Sequence, residues 1–268
     1  MMTTILVTGG TGTLGRLLVP RLQASGNQVR VLSRQSHPPV DGLEYVTGDL
    51  ASGEGVEAAV AYAKIVVHCA GSAKGDEIKA SNLVKASVKS GVSHLVYISV
   101  VGADRVPILS RVDRAMFGYF GSKFEAERLI RRSGVPWTTL RATQFDELTL
   151  TTVEQLSKLP IVPVPAGFQF QPIAGDEVAA RLAELALGEP QGLVPEMGGP
   201  RAYPMTELIR GYLSARQMRR LLVPMPMPGQ AAAAMRAGAN LALDRAVGRR
   251  SWEDFLAERV GKSSPSSV

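Results

Sequence analysis

A single cysteine, Cys69, stands in a chain of 268 residues. That excludes a disulfide framework and a thiolate-rich metal site, and it makes an intracellular, cytoplasmic setting the expected one. Long apolar runs are also missing. None reaches the roughly 18 to 20 residues that span a bilayer, and the nearest candidate, AAAAMRAGANLAL, is broken by Arg236. The opening MMTTILVTGG has neither a basic leader region nor a cleavage pattern, so export by that route is not expected. No internal repeat is found, and His68 and His94 lack the partner spacing of metal ligands, so no metal is expected.

Acidic residues are scarce in one region only. Residues 1–200 hold 19 Lys+Arg and 19 Asp+Glu, whereas 201–268 hold 11 and 5, so the net charge of +6 belongs to the C-terminal quarter. Arg216, Arg219, Arg220, Arg245, Arg249 and Arg250 read as solvated helix faces. Without aromatic interleaving or a recognition motif, neither nucleic acid nor membrane is expected as a partner.

What is present is ample material for a core, with 45% hydrophobic and 20% charged residues. Six β-branched runs read as strands: residues 3–9, 28–34, 43–49, 64–71, 93–100 and 136–143. Helix-compatible stretches lie between them at 14–25, 53–63, 76–90 and 119–133. Such alternation implies right-handed crossovers and an α/β, Rossmann-type doubly wound parallel sheet. After about residue 145 the rhythm changes to proline-rich extended segments and shorter helices. Residues 1–145 are therefore expected to form the nucleotide-binding core, 146–260 a small C-terminal α/β lobe packed on it, and 261–268 a disordered tail.

The most specific signal is the turn ILVTGGTGTLGRLLV, with Gly9, Gly10, Gly12 and Gly15 between a strand and a helix. Missing Cβ atoms there let the backbone bend sharply and approach a pyrophosphate, which the helix N-terminus then holds. Thr8, Gly9, Gly10, Thr11, Gly12, Thr13, Leu14 and Gly15 are the expected cofactor contacts in this turn.

The second strand ends VLSRQSH, with Arg34 and no carboxylate. An acid at this place would take the ribose hydroxyls of NAD(H), whereas a guanidinium pairs with a 2′-phosphate, so NADP(H) is preferred and NAD(H) remains possible. Asp49 and Leu50 after the third strand, and Ala70 and Gly71 after the fourth, should also face the cofactor. Cys69 reads as a small packed residue rather than a nucleophile.

The segments TGGTGTLG, GDL, CAG, YIS and Tyr119-x-x-x-Lys123, in this order, resemble the atypical short-chain dehydrogenase/reductases, in particular the NmrA-like branch. SGVPWTTLRATQF and QPIAGDEVA extend the resemblance over most of the chain. It implies either a reductase of a carbonyl or quinone-like small molecule or a cofactor-binding regulator without chemistry, acting as monomer or homodimer. Tyr119 would be the proton donor. Lys123 would hold the nicotinamide ribose and lower the phenol's pKa, and Ser99 would face the cofactor. At a 3.6-residue period Tyr119 and Lys123 share a helix face, which suits these roles. One departure stands out, for Val101 occupies the place where extended members carry the hydroxyl residue that orients the carbonyl.

Overall fold

The computed structural model describes residues 3–38, 40–72 and 75–260. The expected tail over 261–268 lies outside the described residues. All six expected strands form: β1 (Thr4–Thr8), β2 (Gln28–Ser33), β3 (Leu43–Thr47), β4 (Ile65–His68), β5 (His94–Val100) and β6 (Trp137–Ala142). Between them run α1 (Thr13–Ala24), α2 (Val56–Val60), α3 (Asp76–Lys89) and α4 (Arg111–Arg131). Beyond β6 follow α5 (Asp146–Ser157), β7 (Ile161–Pro165), β8 (Gln169–Phe170), α6 (Gly175–Leu187) and β9 (Gly192–Leu193). The chain then adds β10 (Tyr203–Pro204), α7 (Met205–Ala215), β11 (Leu221–Met225), α8 (Gln230–Arg236) and α9 (Trp252–Val260).

The main sheet has the order β3-β2-β1-β4-β5-β6-β9, parallel throughout. Strand order reverses between β1 and β4, which opens a crevice at their carboxyl ends. Both faces of the sheet are apolar because both are covered. Ile5 and Val7 pack with α1 and α6 through Leu18, Leu22, Val178 and Leu182. Leu6, Leu95 and Tyr97 pack on the other face, against α2, α3 and α4.

Three expectations are redrawn. α4 starts at Arg111, not Tyr119, because Ser110 and Asp113 form a reciprocal capping box, so Tyr119 lies inside the helix. α2 is confined to Val56–Val60, since Gly53 and Gly55 adopt φ of +85° and +71° and lie outside the helical region, with Gly55 as the N-cap. The boundary at residue 145 is also crossed: α6 and β9 return to the main sheet, so the lobe consists of α5, α7, α9 and the small strands, built around Leu208, Ile209, Trp252 and Phe255. Phe120 is buried and Phe124 packs beside it within the chain, against Phe117, Phe168 and Met235.

The proline-rich segments β7 and β11 pair as a parallel ribbon. Leu221 N–H donates to Pro160 O and Ala166 N–H to Met225 O. That phase turns Pro163, Pro165 and Pro224 toward the outer edges, where a missing N–H breaks no ladder bond and discourages further pairing. Among the described residues no helix is long and apolar enough to cross a membrane.

Candidate functional site: a dinucleotide cleft with a buried lysine

The glycines of the β1–α1 turn do different jobs. Gly9 has φ +72°, and a Cβ on it would meet Ala70 N at 2.6 Å, so the turn presses directly on the loop after β4. A Cβ on Gly15 would meet Gly9 O at 2.2 Å and Gly10 Cα at 2.4 Å, which makes Gly15 the residue that lets α1 close on its own turn. Gly12 is exposed, and the nearest atom to a Cβ there is Gly9 O at 3.3 Å. The exposed Gly12, at the N-terminus of the 12-residue α1, is where a pyrophosphate could approach the backbone.

A cavity of about 350 Å³ opens over this turn, lined by Gly9, Thr11, Gly12, Arg34, Asp49 and Leu50. Ala70 and Gly71 close it on the β4 side. Its volume is in the range of small-molecule sites. Sequence reasoning missed Ser33, Ser72 and Lys79, which also line it. Ser33 Oγ lies 2.8 Å from His37 Nε2 and accepts the Gln35 N–H at 3.2 Å, and His37 stacks on Tyr45 with centroids 4.4 Å apart. Arg34 beside it is exposed. The Asp49 carboxylate accepts the Ala51 N–H at 2.9 Å, holding the β3 turn.

Thr8, Gly10, Thr13, Leu14 and Gly15 do not line the cavity. Thr8 is fully buried, its Oγ1 2.7 Å from His68 Nδ1 across the β1–β4 register pair. Gly10 packs on Val31, and Leu14 is part of the core. Burial and the nearby Lys123 charge push His68 down to about 3, so its imidazole is neutral, and the ring stacks on Tyr97 at 5.3 Å. His94 has its own partner, Thr138 Oγ1 at 2.8 Å, and burial pushes the Cys69 thiol up to about 12. None of these groups has the setting of a metal ligand or a nucleophile.

Lys123 is 4% exposed and lies behind Gly71, where a Cβ would come within 3.3 Å of Nζ. Its ammonium donates to Ile98 O at 3.2 Å and pairs with Asp76 Oδ2 at 3.1 Å. It also sits 4.9 Å from the Tyr97 ring centroid and 5.8 Å from that of Tyr119. Burial opposes its charge, but the oxygens of Tyr97, Tyr119 and Asp76 outweigh burial and hold its pKa above the ordinary lysine value. Asp76 was not singled out from the sequence. Its side chain is wholly buried, and Oδ1 accepts the Ser72 N–H at 2.9 Å while Lys79 approaches at 3.4 Å. Burial pushes the Tyr119 phenol upward, Lys123 opposes that, and Asp76 adds to it. Ser99 is buried on the same face of β5 as Tyr97, and Val101 is fully buried one residue past the strand.

Compared with known proteins, residues 9–186 match the sequence model of the NAD(P)H-binding family. The chain belongs to that family. It is 27% identical over 236 residues to a ceramide reductase of Caulobacter vibrioides, covering 84% of this chain and 74% of that protein. It is 28% identical over 207 residues to a (4-alkanoyl-5-oxo-2,5-dihydrofuran-3-yl)methyl phosphate reductase of Streptomyces griseus, covering 74% and 68%. Among solved structures it is similar to an NADPH-dependent quinone oxidoreductase from Escherichia coli complexed with NADPH. There the TM-score is 0.77 at 17% identity, over 95% of this chain and 99% of the other. The Rossmann fold and the family's dinucleotide thus agree with the cradle at Gly12.

Proposed function

We propose that this protein is an NADPH-dependent reductase of a carbonyl or quinone-like small molecule, with Tyr119 as proton donor and Lys123 as the residue that holds the nicotinamide ribose. The observation that carries the reading is the place of Lys123, whose Nζ lies behind Gly71 of the cavity wall and 5.8 Å from the centroid of the Tyr119 ring. Gly9, Gly12 and the α1 N-terminus would hold the pyrophosphate. Arg34, with no acid at the end of β2, would pair with the 2′-phosphate. When bound, the dihydronicotinamide supplies a hydride to the substrate carbon. Tyr119 gives its hydroxyl proton to the substrate oxygen, and water later restores that proton. The reductase names of two relatives and the quinone oxidoreductase structure support this class of reaction. A panel of ketones, aldehydes and quinones should contain at least one compound that oxidises NADPH, and Tyr119→Phe should lower its turnover at least about 100-fold. No NADPH oxidation across the panel, or full activity in Tyr119→Phe, would refute the reading.

Val101 motivates a second reading, a cofactor-binding regulator whose NADP(H) occupancy changes its association with a protein partner. The residue is fully buried where a carbonyl-orienting hydroxyl was expected, and it offers a substrate nothing polar. Tight NADPH binding with no turnover of any panel member would favour this reading, as would a pull-down sensitive to NADP(H).

A further inference from the structure

Lysine four residues after a phenol ordinarily favours the phenolate by Coulomb attraction. That effect needs a net positive charge, and here the ammonium does not carry one alone. Asp76 Oδ2 lies 3.1 Å from Lys123 Nζ, with side-chain exposures of 0% and 5%, so almost no water separates or screens the pair. At Tyr119 the pull of Lys123 still exceeds the opposing effect of Asp76, so the carboxylate offsets the ammonium in part. On α3, Lys79 also pairs with Asp76, through Oδ1 at 3.4 Å, and donates to Ser72, so the carboxylate is shared between two ammonium groups, with Lys123 the nearer. At the end of β4 and just past it, His68 and Cys69 are neutral, and on β5 Tyr97 is a buried phenol. Phe120, whose ring meets that of Tyr119 edge-on at 5.8 Å between centroids, and the rest of the apolar cluster that Tyr119 packs against carry no charge.

We infer that Asp76 is a positioning residue that offsets part of the Lys123 charge and so, together with burial, keeps Tyr119 in its proton-donating form across neutral pH, and the site meets its substrate ready for reduction rather than oxidation. This rests on the reading of Tyr119 as the acid. Atoms and charge balance as follows: the Tyr119 O–H bond breaks, its proton joins the substrate oxygen as the hydride reaches carbon, and the phenolate left behind takes a proton from water. Substrate and cofactor fix the overall equilibrium. Asp76 decides only which form of Tyr119 they encounter. The same carboxylate, through the Ser72 N–H, fixes the loop that carries Gly71, so one residue sets both the charge and the distance of Lys123 from the cavity.

The test is a tyrosinate titration by ultraviolet absorbance on the purified protein, with Tyr119→Phe subtracted to isolate one phenol. Asp76→Asn keeps the shape and should lower the Tyr119 midpoint by about 1 to 2 pH units. Lys123→Met should raise it, and the double variant should fall back near wild type because the pair is removed as a unit. If Asp76→Asn does not fold, the difference between Lys123→Met and the double variant measures the same charge. An Asp76→Asn midpoint that is unchanged or higher, or a double variant indistinguishable from Lys123→Met, overturns the inference. With any substrate found in the panel, the rise of alcohol oxidation with pH should move down by the same shift in Asp76→Asn. No turnover by the wild type in either direction would refute the reductase reading itself, whereas turnover with an unmoved pH profile would refute only the role of Asp76.

Discussion

The two ends of the cleft are built by opposite means. At the β1–α1 turn the structure depends on side chains that are absent: Gly9, Gly12 and Gly15 leave room for backbone and pyrophosphate, and the surface there is open. At the α3–α4 end it depends on buried polar side chains, the charged Lys123 and Asp76 and the neutral Tyr97 and His68, each under a tenth exposed. The first end holds a ligand by shape and dipole, which tolerates solvent. In the proposed reductase the second would tune proton chemistry, which requires that solvent be kept out. A Thr8–His68 contact in the register row between β1 and β4 joins them.

The largest effect should come from the turn itself. Gly15→Ala would bring a methyl to 2.2 Å from Gly9 O, backbone against backbone, so the turn must open and α1 must shift. Loss of measurable NADPH binding and a fall of several kcal/mol in stability are expected, by fluorescence titration and chemical denaturation. Gly12→Ala meets nothing nearer than 3.3 Å. It should cost only about 1 kcal/mol of stability, as Ala at this N-cap would, while losing NADPH affinity. Equal effects of the two substitutions would remove the distinction drawn between packing and approach.

Next in size is cofactor choice at the outer edge of the same end. Arg34 is exposed on the cavity rim, and Ser33 below it is held by His37. Arg34→Asp exchanges a guanidinium for a carboxylate, which repels a 2′-phosphate and can accept from a free ribose hydroxyl. The ratio of NADH to NADPH dissociation constants should fall about 10- to 100-fold, the worth of one or two hydrogen bonds to a charged group. An unchanged ratio would mean that the 2′-position is read elsewhere.

The open end was legible in the sequence because its rule is local: glycines at fixed spacing between a strand and a helix, and the absence of an acid after β2. The buried end was legible only in part. Tyr119 and Lys123 are four apart on one helix, so their shared face follows from helical period. Asp76 is 47 positions from Lys123 in the chain, and with Glu77 beside it in the first turn of α3 it reads as a favourable dipole contact and nothing more. Lysine's need for a partner was foreseeable, but its identity depends on how α3 and α4 pack side by side. The lobe was the least legible, since whether α6 belongs to it or to the sheet depends on Val178 and Leu182 meeting Leu18 across 160 residues. The start of α4 could have been found earlier, since the Ser110-x-x-Asp113 pair is a local capping signal overlooked beside the tyrosine.

The smallest effect concerns the joint between the ends, where the sign can be worked out. His68 titrates near 6.5 in the unfolded chain but is held down to about 3 in the fold, by burial first and by Lys123 second. The unfolded chain therefore binds a proton that the folded one refuses, and stability falls as pH drops below 6.5 until the loss is complete near 3. Between pH 7 and 5.5 this contribution is about 1 kcal/mol. His68→Asn has no titration in that window and keeps an acceptor for Thr8 Oγ1. Urea denaturation at both pH values should thus show a wild-type stability difference about 1 kcal/mol larger in the destabilising direction than the variant's. Because every other ionisable group is common to the two proteins, the comparison isolates His68. A variant with the same pH slope as wild type would place the neutral imidazole, and with it the dry joint between the two ends, in error.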